Sequence, residues 1–127
     1  MMNGNSEQML EVCDNFELMY ASQVDFQERL TGIKLPADNV DEYQKSVTLL
    51  IEEVGELLKN DKRWKNLRWD LYNREEKLNE YADVFITVMN IAIHSGFNKN
   101  EVINAVMKKI EINRGRLKEQ EEMENEY

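Results

Sequence analysis

Two pairs of acidic residues stand out as able to do chemistry. Glu53 and Glu56 lie three apart in Leu50-Ile51-Glu52-Glu53-Val54-Gly55-Glu56-Leu57, and Glu80 and Asp83 lie three apart in Glu80-Tyr81-Ala82-Asp83. Residues three or four apart share a helix face, so each pair would present two carboxylates side by side. The second pair opens a stretch, Tyr81 to Ile93, that is apolar nearly all round. Such a stretch predicts a central, buried helix. A carboxylate there is costly unless it is paired or metal-bound. Thr87 and Asn90 continue the polar line of Glu80 and Asp83 at helical spacing. They would satisfy buried neighbours or border a site. Gly55, inside the first motif, costs a helix roughly 1 kcal/mol relative to Ala. That cost predicts the close approach of a neighbouring helix or ligand.

A short connection favours antiparallel packing of the two helices, which would bring the pairs together. Four acids without histidine make a hard-oxygen site, suited to Mg²⁺, with Mn²⁺ as the other candidate, rather than to zinc or iron. Mg²⁺ keeps several waters and is commonly held by a few carboxylates plus substrate phosphates. The expected ligand is therefore phosphorylated. Lys109, Asn113 and Arg116, spaced four and three, are candidate phosphate partners. Asn113 takes a place in an apolar stripe where Leu is expected, and a buried Asn needs partners. Lys and Arg can grip phosphate oxygens, Arg in a bidentate manner. Plainer readings compete. Glu52, Glu53 and Glu56 can be a solvated helix face, Glu80 and Asp83 a buried ion pair with Lys109 or Arg116, and Trp64 a packing anchor.

Helices must position these residues. The chain has 127 residues with one Pro and five Gly, and strand-like alternation is absent over any useful length. Four main helices are predicted: about Glu7 to Leu30, Asn39 to Asn60, Arg74 to Ser95, and Asn98 to about Glu119. The first carries an apolar stripe of Met9, Val12/Cys13, Phe16, Met19/Tyr20, Phe26 and Leu30. Asn39 with Glu42, and Asn98 with Glu101, read as capping pairs. Gly96 reads as a left-handed stop. Residues 61–73 hold both tryptophans, as a short helix or an ordered loop. The tail 119–127 is rich in Glu without apolar period, so it is expected to fray. One domain is expected, its core spanning about residues 7–118.

Composition excludes several classes. Sixteen Lys+Arg against 25 Asp+Glu leave a formal charge of −9. Such a surface repels nucleic-acid phosphate. No apolar window spans a membrane. One cysteine excludes an internal disulfide or a cysteine zinc cluster, and a lone histidine makes a two-histidine di-iron bundle untenable. His94 is expected at the surface or as a helix-end cap. Cys13 is expected to be a small core residue and Trp69 a packing residue. The first residues lack a basic then apolar leader, and with the free thiol they point to the cytosol.

The order Glu52-Glu53-Val54-Gly55-Glu56, a 23-residue spacer, then Glu80-x-x-Asp83, resembles the signature of the all-α NTP pyrophosphohydrolases. That superfamily includes MazG proteins, dimeric dUTPases, dCTP pyrophosphatases and phosphoribosyl-ATP pyrophosphohydrolases. The stretch Lys109-Ile110-Glu111-Ile112-Asn113-Arg114-Gly115-Arg116 is similar to the Lys…Asn-Arg segment of the helix that follows. The resemblance covers about residues 39–117.

It implies an all-α, four-helix bundle-like MazG-type fold assembled as a homodimer or homotetramer. It also implies cleavage of a nucleoside triphosphate between the α and β phosphates. Glu53, Glu56, Glu80 and Asp83 would then be the Mg²⁺ ligands, with Glu52 either supporting those ligands from behind or helping to orient the attacking water. Lys109, Asn113 and Arg116 would hold the phosphates. The family's base pocket draws on the first helix and on aromatics after the first motif. Trp64 would stack on the base, and Gln23 or Gln27 would hydrogen-bond its edge. A dUTP-specific enzyme is the alternative within this class. A non-catalytic acidic helical module is the alternative outside it.

Overall fold

A computed structural model describes residues 4–65 and 71–125, with side chains from residue 14 onward. Trp69 and the side chains of Met9, Val12 and Cys13 lie outside the described residues. The four expected helices are present: α1 (Gly4–Thr31), α2 (Val40–Asn60), α3 (Arg74–His94) and α4 (Lys99–Asn125). A 3₁₀ turn, Lys62–Trp64, follows α2. No strand occurs among the described residues, only an isolated bridge between Asp38 and Ser95. No described helix is long and apolar enough to cross a membrane.

Local chemistry sets the helix ends. Asn39 Oδ1 accepts from the Glu42 amide at 3.1 Å and caps α2. Asn73 Oδ1 caps α3 by accepting from the Glu75 and Glu76 amides. Asn98 and Glu101 cap α4 reciprocally, each side chain accepting from the other's amide at 2.9 and 3.2 Å. This is a capping box, satisfying two otherwise orphaned donors. Gly96 stops α3 at φ +87°, and a Cβ there would meet the Asp38 amide nitrogen at 3.2 Å. At its far end α4 departs from expectation. It runs to Asn125, through the acidic tail. Glu, Gln, Lys and Met are strong helix formers, and propensity continues a helix where the apolar period has ended.

α2 and α3 make the most extensive pairing of the molecule, and α1 packs on α3 and on α4. The pairing is antiparallel: Asn60 reaches Glu76 and Asp61 reaches Lys77, while Glu53 sits with Glu80 and Asp83. The core lies at the far end of α3. Tyr20, Leu35, Met89 and Ile93 are buried there, flanked by Phe16, Val24, Ile33 and Val102. The Tyr20 hydroxyl donates to the Phe97 carbonyl at 2.6 Å. Burial, then the Glu101 charge, push its pKa up to about 12.

Two expectations about burial fail. His94 is 0% exposed rather than a surface cap. Its Nε2 faces Gln27 Oε1 at 2.9 Å, so the neutral ring donates through Nε2. Burial holds its pKa below the ordinary imidazole value. α3 is also not covered all round: Leu78, Tyr81, Phe85 and Val88 are exposed on its outer side. On α4, Val106, Ile110 and Leu117 are exposed likewise.

A candidate metal centre on the paired helices

The antiparallel α2–α3 seam brings acids from both motifs to one place. One carboxylate oxygen from each of Glu53, Glu80 and Asp83 lies within 4.8 Å of the other two. Glu53 and Glu80 are half-buried and Asp83 is exposed at the rim. Among the described residues, none of the three forms a salt bridge. Partial burial raises the Glu53 pKa above its usual value, and the Asp83 and Glu80 carboxylates add to that rise, followed by Glu56 and Glu52. Like charges converging without a cation disfavour ionisation. A divalent cation bound there would relieve that repulsion.

The donor set fits Mg²⁺. An octahedral ion about 2.1 Å from each oxygen places neighbouring oxygens about 3 Å apart and opposite ones about 4 Å apart. Zinc would want nitrogen or sulfur donors, and the chain's one histidine is buried in the core. The Thr87 hydroxyl donates to the Asp83 carbonyl at 2.8 Å, so Thr87 satisfies backbone beneath the acids.

The other predicted site residues fall into three groups. Glu56 and Glu52 lie on the same helix, exposed, outside the close triad. Glu56 pairs instead with Lys59 at 3.6 Å. Gln23 and Gln27 face α3. Gln23 Nε2 donates to Asn90 Oδ1 at 2.9 Å, while Gln27 is buried against His94. Gln27 is therefore committed inside the core, and Gln23 is the more accessible of the two. Trp64 is exposed, its indole N–H donating to the Leu58 carbonyl at 3.0 Å. Lys65 Nζ lies over its ring, 5.8 Å from the ring centre.

Lys109, Asn113 and Arg116 are fully on the surface of α4. They are not brought to the acids within one chain, because α4 packs principally on α1. Gly55 also departs from expectation: a Cβ there would meet nothing within 4 Å. No neighbour approaches it closely.

Sequence reasoning missed the Asp61 node. The Asp61 carboxylate accepts from Arg63 Nε and a terminal guanidinium nitrogen, the latter at 2.7 Å, and from Lys77 Nζ at 2.6 Å. Arg63 and Lys77 both lie over the Tyr72 ring, at 4.2 and 4.8 Å from its centre. These bonds hold the Asp61 carboxyl far below the usual range. The node ties the end of α2 to the start of α3, fixing the register that aligns Glu53 with Glu80. The available signal was Asp61 two residues before Arg63, a cap for a tight turn.

Comparison with protein-family models, curated proteins and solved structures gives no match.

Proposed function

We propose that this protein is a Mg²⁺-dependent nucleoside triphosphate pyrophosphohydrolase, converting (d)NTP to (d)NMP and pyrophosphate and so clearing nucleotides from the pool. The observation that supports it is the convergence of Glu53, Glu80 and Asp83 without an intervening cation. Those three carboxylates hold the metal. Glu56 joins them by turning away from Lys59. A Mg²⁺ ion held by these residues would supply Lewis-acid chemistry, polarising a phosphoryl oxygen and activating a water. Glu52, next to Glu53 on the exposed side of α2, would help to orient the attacking water, and Glu52 and Glu53 are the candidates to accept its proton. Trp64 offers a ring face to the base, and Gln23 a polar edge.

Lys109, Asn113 and Arg116 belong to the proposal as phosphate ligands carried by α4. They are exposed and stand away from the acids of their own chain, so they would meet substrate held by a second copy. Association as a homodimer or homotetramer, completing a four-helix bundle-like MazG-type assembly, is supported by the exposed apolar residues of α3 and α4. Large contiguous apolar patches are the kind of surface that association covers.

The test is pyrophosphate release from eight nucleoside triphosphates (four ribo-, dATP, dGTP, dCTP and dUTP), with and without Mg²⁺. Mg²⁺-dependent release with monophosphate as co-product is expected. Release from dUTP alone would narrow the reading to a dUTP-specific enzyme. No release by the folded protein would sink it in favour of a non-catalytic helical module.

A further inference from the structure

The α2–α3 pair has two flanks. One carries the acids, and the other is apolar. Ile51 stands two residues before Glu53, and Phe85 two residues after Asp83. A helix turns about 100° per residue, so each apolar side chain lies on roughly the opposite side of its helix from its acid. The Asn60–Glu76 register sets Ile51 level with Phe85 and Leu58 level with Leu78, so the two helices present one continuous face. Along α3 that face is Leu78, Tyr81, Phe85 and Val88, the alternating three-and-four spacing of a bundle seam. Ile51 is 69% exposed and Leu78 62%, and Tyr81, Phe85 and Val88 are exposed with them. Among the described residues no helix covers this face. α1 meets α3 further along, at Asn90 and Ile93, and α4 packs principally on α1.

The whole chain carries the same excess. Its accessible surface is 10301 Å². A folded monomer of 15.1 kDa exposes about 7,100 Å² by the usual scaling of surface with mass. The difference, about 3,200 Å², exceeds several-fold the roughly 800 Å² that each partner gives to a standard interface. The buried apolar core of the described residues is correspondingly small, centred on Tyr20, Leu35, Met89 and Ile93. A helix as apolar as Tyr81 to Ile93 is one that is covered on every side, and within the chain α3 is not.

The chemistry of the face selects its occupant. It is uncharged, so nothing in it holds a charged partner. Two antiparallel helices with an apolar side are half of a four-helix bundle, and a second copy of this chain supplies the identical half through a two-fold axis. Electrostatics favours the same arrangement. Each chain carries a formal charge of −9, so copies repel. Pairing through this flank turns Glu53, Glu80 and Asp83 of both copies outward, away from one another.

We propose that the Ile51–Phe85 flank is the self-association surface of this protein, where two copies join their α2–α3 pairs into one four-helix core with both acidic groups on the outside. The assignment rests on the association reading above and not on the metal centre.

The experiment uses the full chain. Sedimentation equilibrium should give a dimer or a multiple of it, with the same mass in EDTA as in Mg²⁺. Ile51→Glu and Phe85→Glu, each placing an unpaired charge in the shared core, should raise the dissociation constant at least about 100-fold. Val106→Glu and Leu117→Glu, on α4, should leave it unchanged. A second measurement does not depend on those variants folding. In a Cys13→Ser background, copies carrying Ile51→Cys and copies carrying Phe85→Cys should be joined by a short bismaleimide, and copies carrying Glu111→Cys should not. A monomeric wild type would overturn the proposal together with the association reading. A wild-type dimer that survives both glutamate substitutions, or that forms no Ile51→Cys to Phe85→Cys cross-link, would overturn this surface and leave association standing. A dimer that needs Mg²⁺ would place the acids at the contact and overturn it as well.

Discussion

The α2–α3 seam carries two groups of carboxylate, about two helical turns apart, with opposite electrostatics. At one end Asp61 is gripped by Arg63 and Lys77, and its carboxyl is held far below its ordinary pKa. At the other, Glu53 faces Glu80 and Asp83, and its pKa is raised. The residue chemistry is nearly the same in both. What differs is the company. A carboxylate given cations stabilises the fold that brings them together. A carboxylate given other carboxylates opposes that fold until a cation arrives. The first group fixes the register of the helices, and that register forces the second together. Under the proposed function, a bound cation would relieve that repulsion.

The largest expected effect breaks the repulsive end. Glu53→Gln removes a ligand charge at constant volume. If the proposed activity holds, kcat/KM should fall by at least about 100-fold, since metal-assisted charge stabilisation is worth several kcal/mol. Wild-type protein should gain about 2.7 kcal/mol of stability from Mg²⁺ at one hundred times its Kd, seen as a higher Tm. The variant should lose most of that gain. A variant with normal turnover and a normal Mg²⁺ response would remove Glu53 from the centre.

Breaking the attractive end should act on the fold instead. Asp61→Asn leaves Arg63 and Lys77 close together over the Tyr72 ring without their shared anion. The Tm at pH 7 should fall by more than it does for Lys45→Ala, which removes an exposed pair on α2. The pH dependence has a defined sign. A carboxyl whose folded pKa is lowered stabilises the protein above its unfolded value, here 3.8. That contribution is lost as pH falls below it toward the folded value. The difference between wild type and Asp61→Asn should therefore shrink below pH 4. A difference that persists unchanged into acid would show that the node is not held by charge.

How much of this was legible in the sequence follows from the range of each interaction. The helix starts were legible because Asn39, Asn98 and Glu101 cap within three residues of themselves. The stop at Gly96 was equally local. The convergence of Glu53 with Glu80 and Asp83 needed one further inference, antiparallel pairing across a short connection. Burial of His94 was not legible, because its partner Gln27 lies 67 residues away on another helix. Nor was the isolation of Lys109, Asn113 and Arg116: their helical spacing says which face they share, not what that face meets. Gly55 was misread for the same reason, since a glycine's cost shows from sequence but its neighbours do not.

His94 offers a control between the two acidic groups, because it is titratable and buried with a neutral hydrogen-bond partner, Gln27. Its folded pKa is lowered by burial, with the Glu42 charge acting in the opposite direction. Above pH 6.5, the ordinary histidine value, its contribution is fully present. As pH falls below that, the unfolded chain takes up a proton first and stability is lost. The stability difference between wild type and His94→Gln should therefore narrow from pH 7 to pH 5, measured by urea denaturation. A difference flat over that interval would mean that the ring keeps its proton equilibrium unchanged on folding.

The smallest expected effect has the sign that best separates the two ends of the seam. Asp83→Asn removes one of the charges that raise the Glu53 pKa. Without metal, relief of that repulsion should stabilise the protein at pH 7 by the energy of an exposed charge pair, about 0.5 kcal/mol. The sign follows from linkage. A carboxyl whose folded pKa is raised lowers stability as pH climbs through and above its unfolded value, 4.5 for Glu53. The advantage of Asp83→Asn should therefore be absent below that pH and appear above it. Added Mg²⁺ should reverse it, because the wild type then has a third carboxylate to hold the ion and the variant does not. Asp61→Asn should show neither the stabilisation nor the reversal. An Asp83→Asn protein no more stable than wild type at pH 7 without metal would mean that these acids are too well solvated to repel one another, and Asp83 would leave the proposed ligand set.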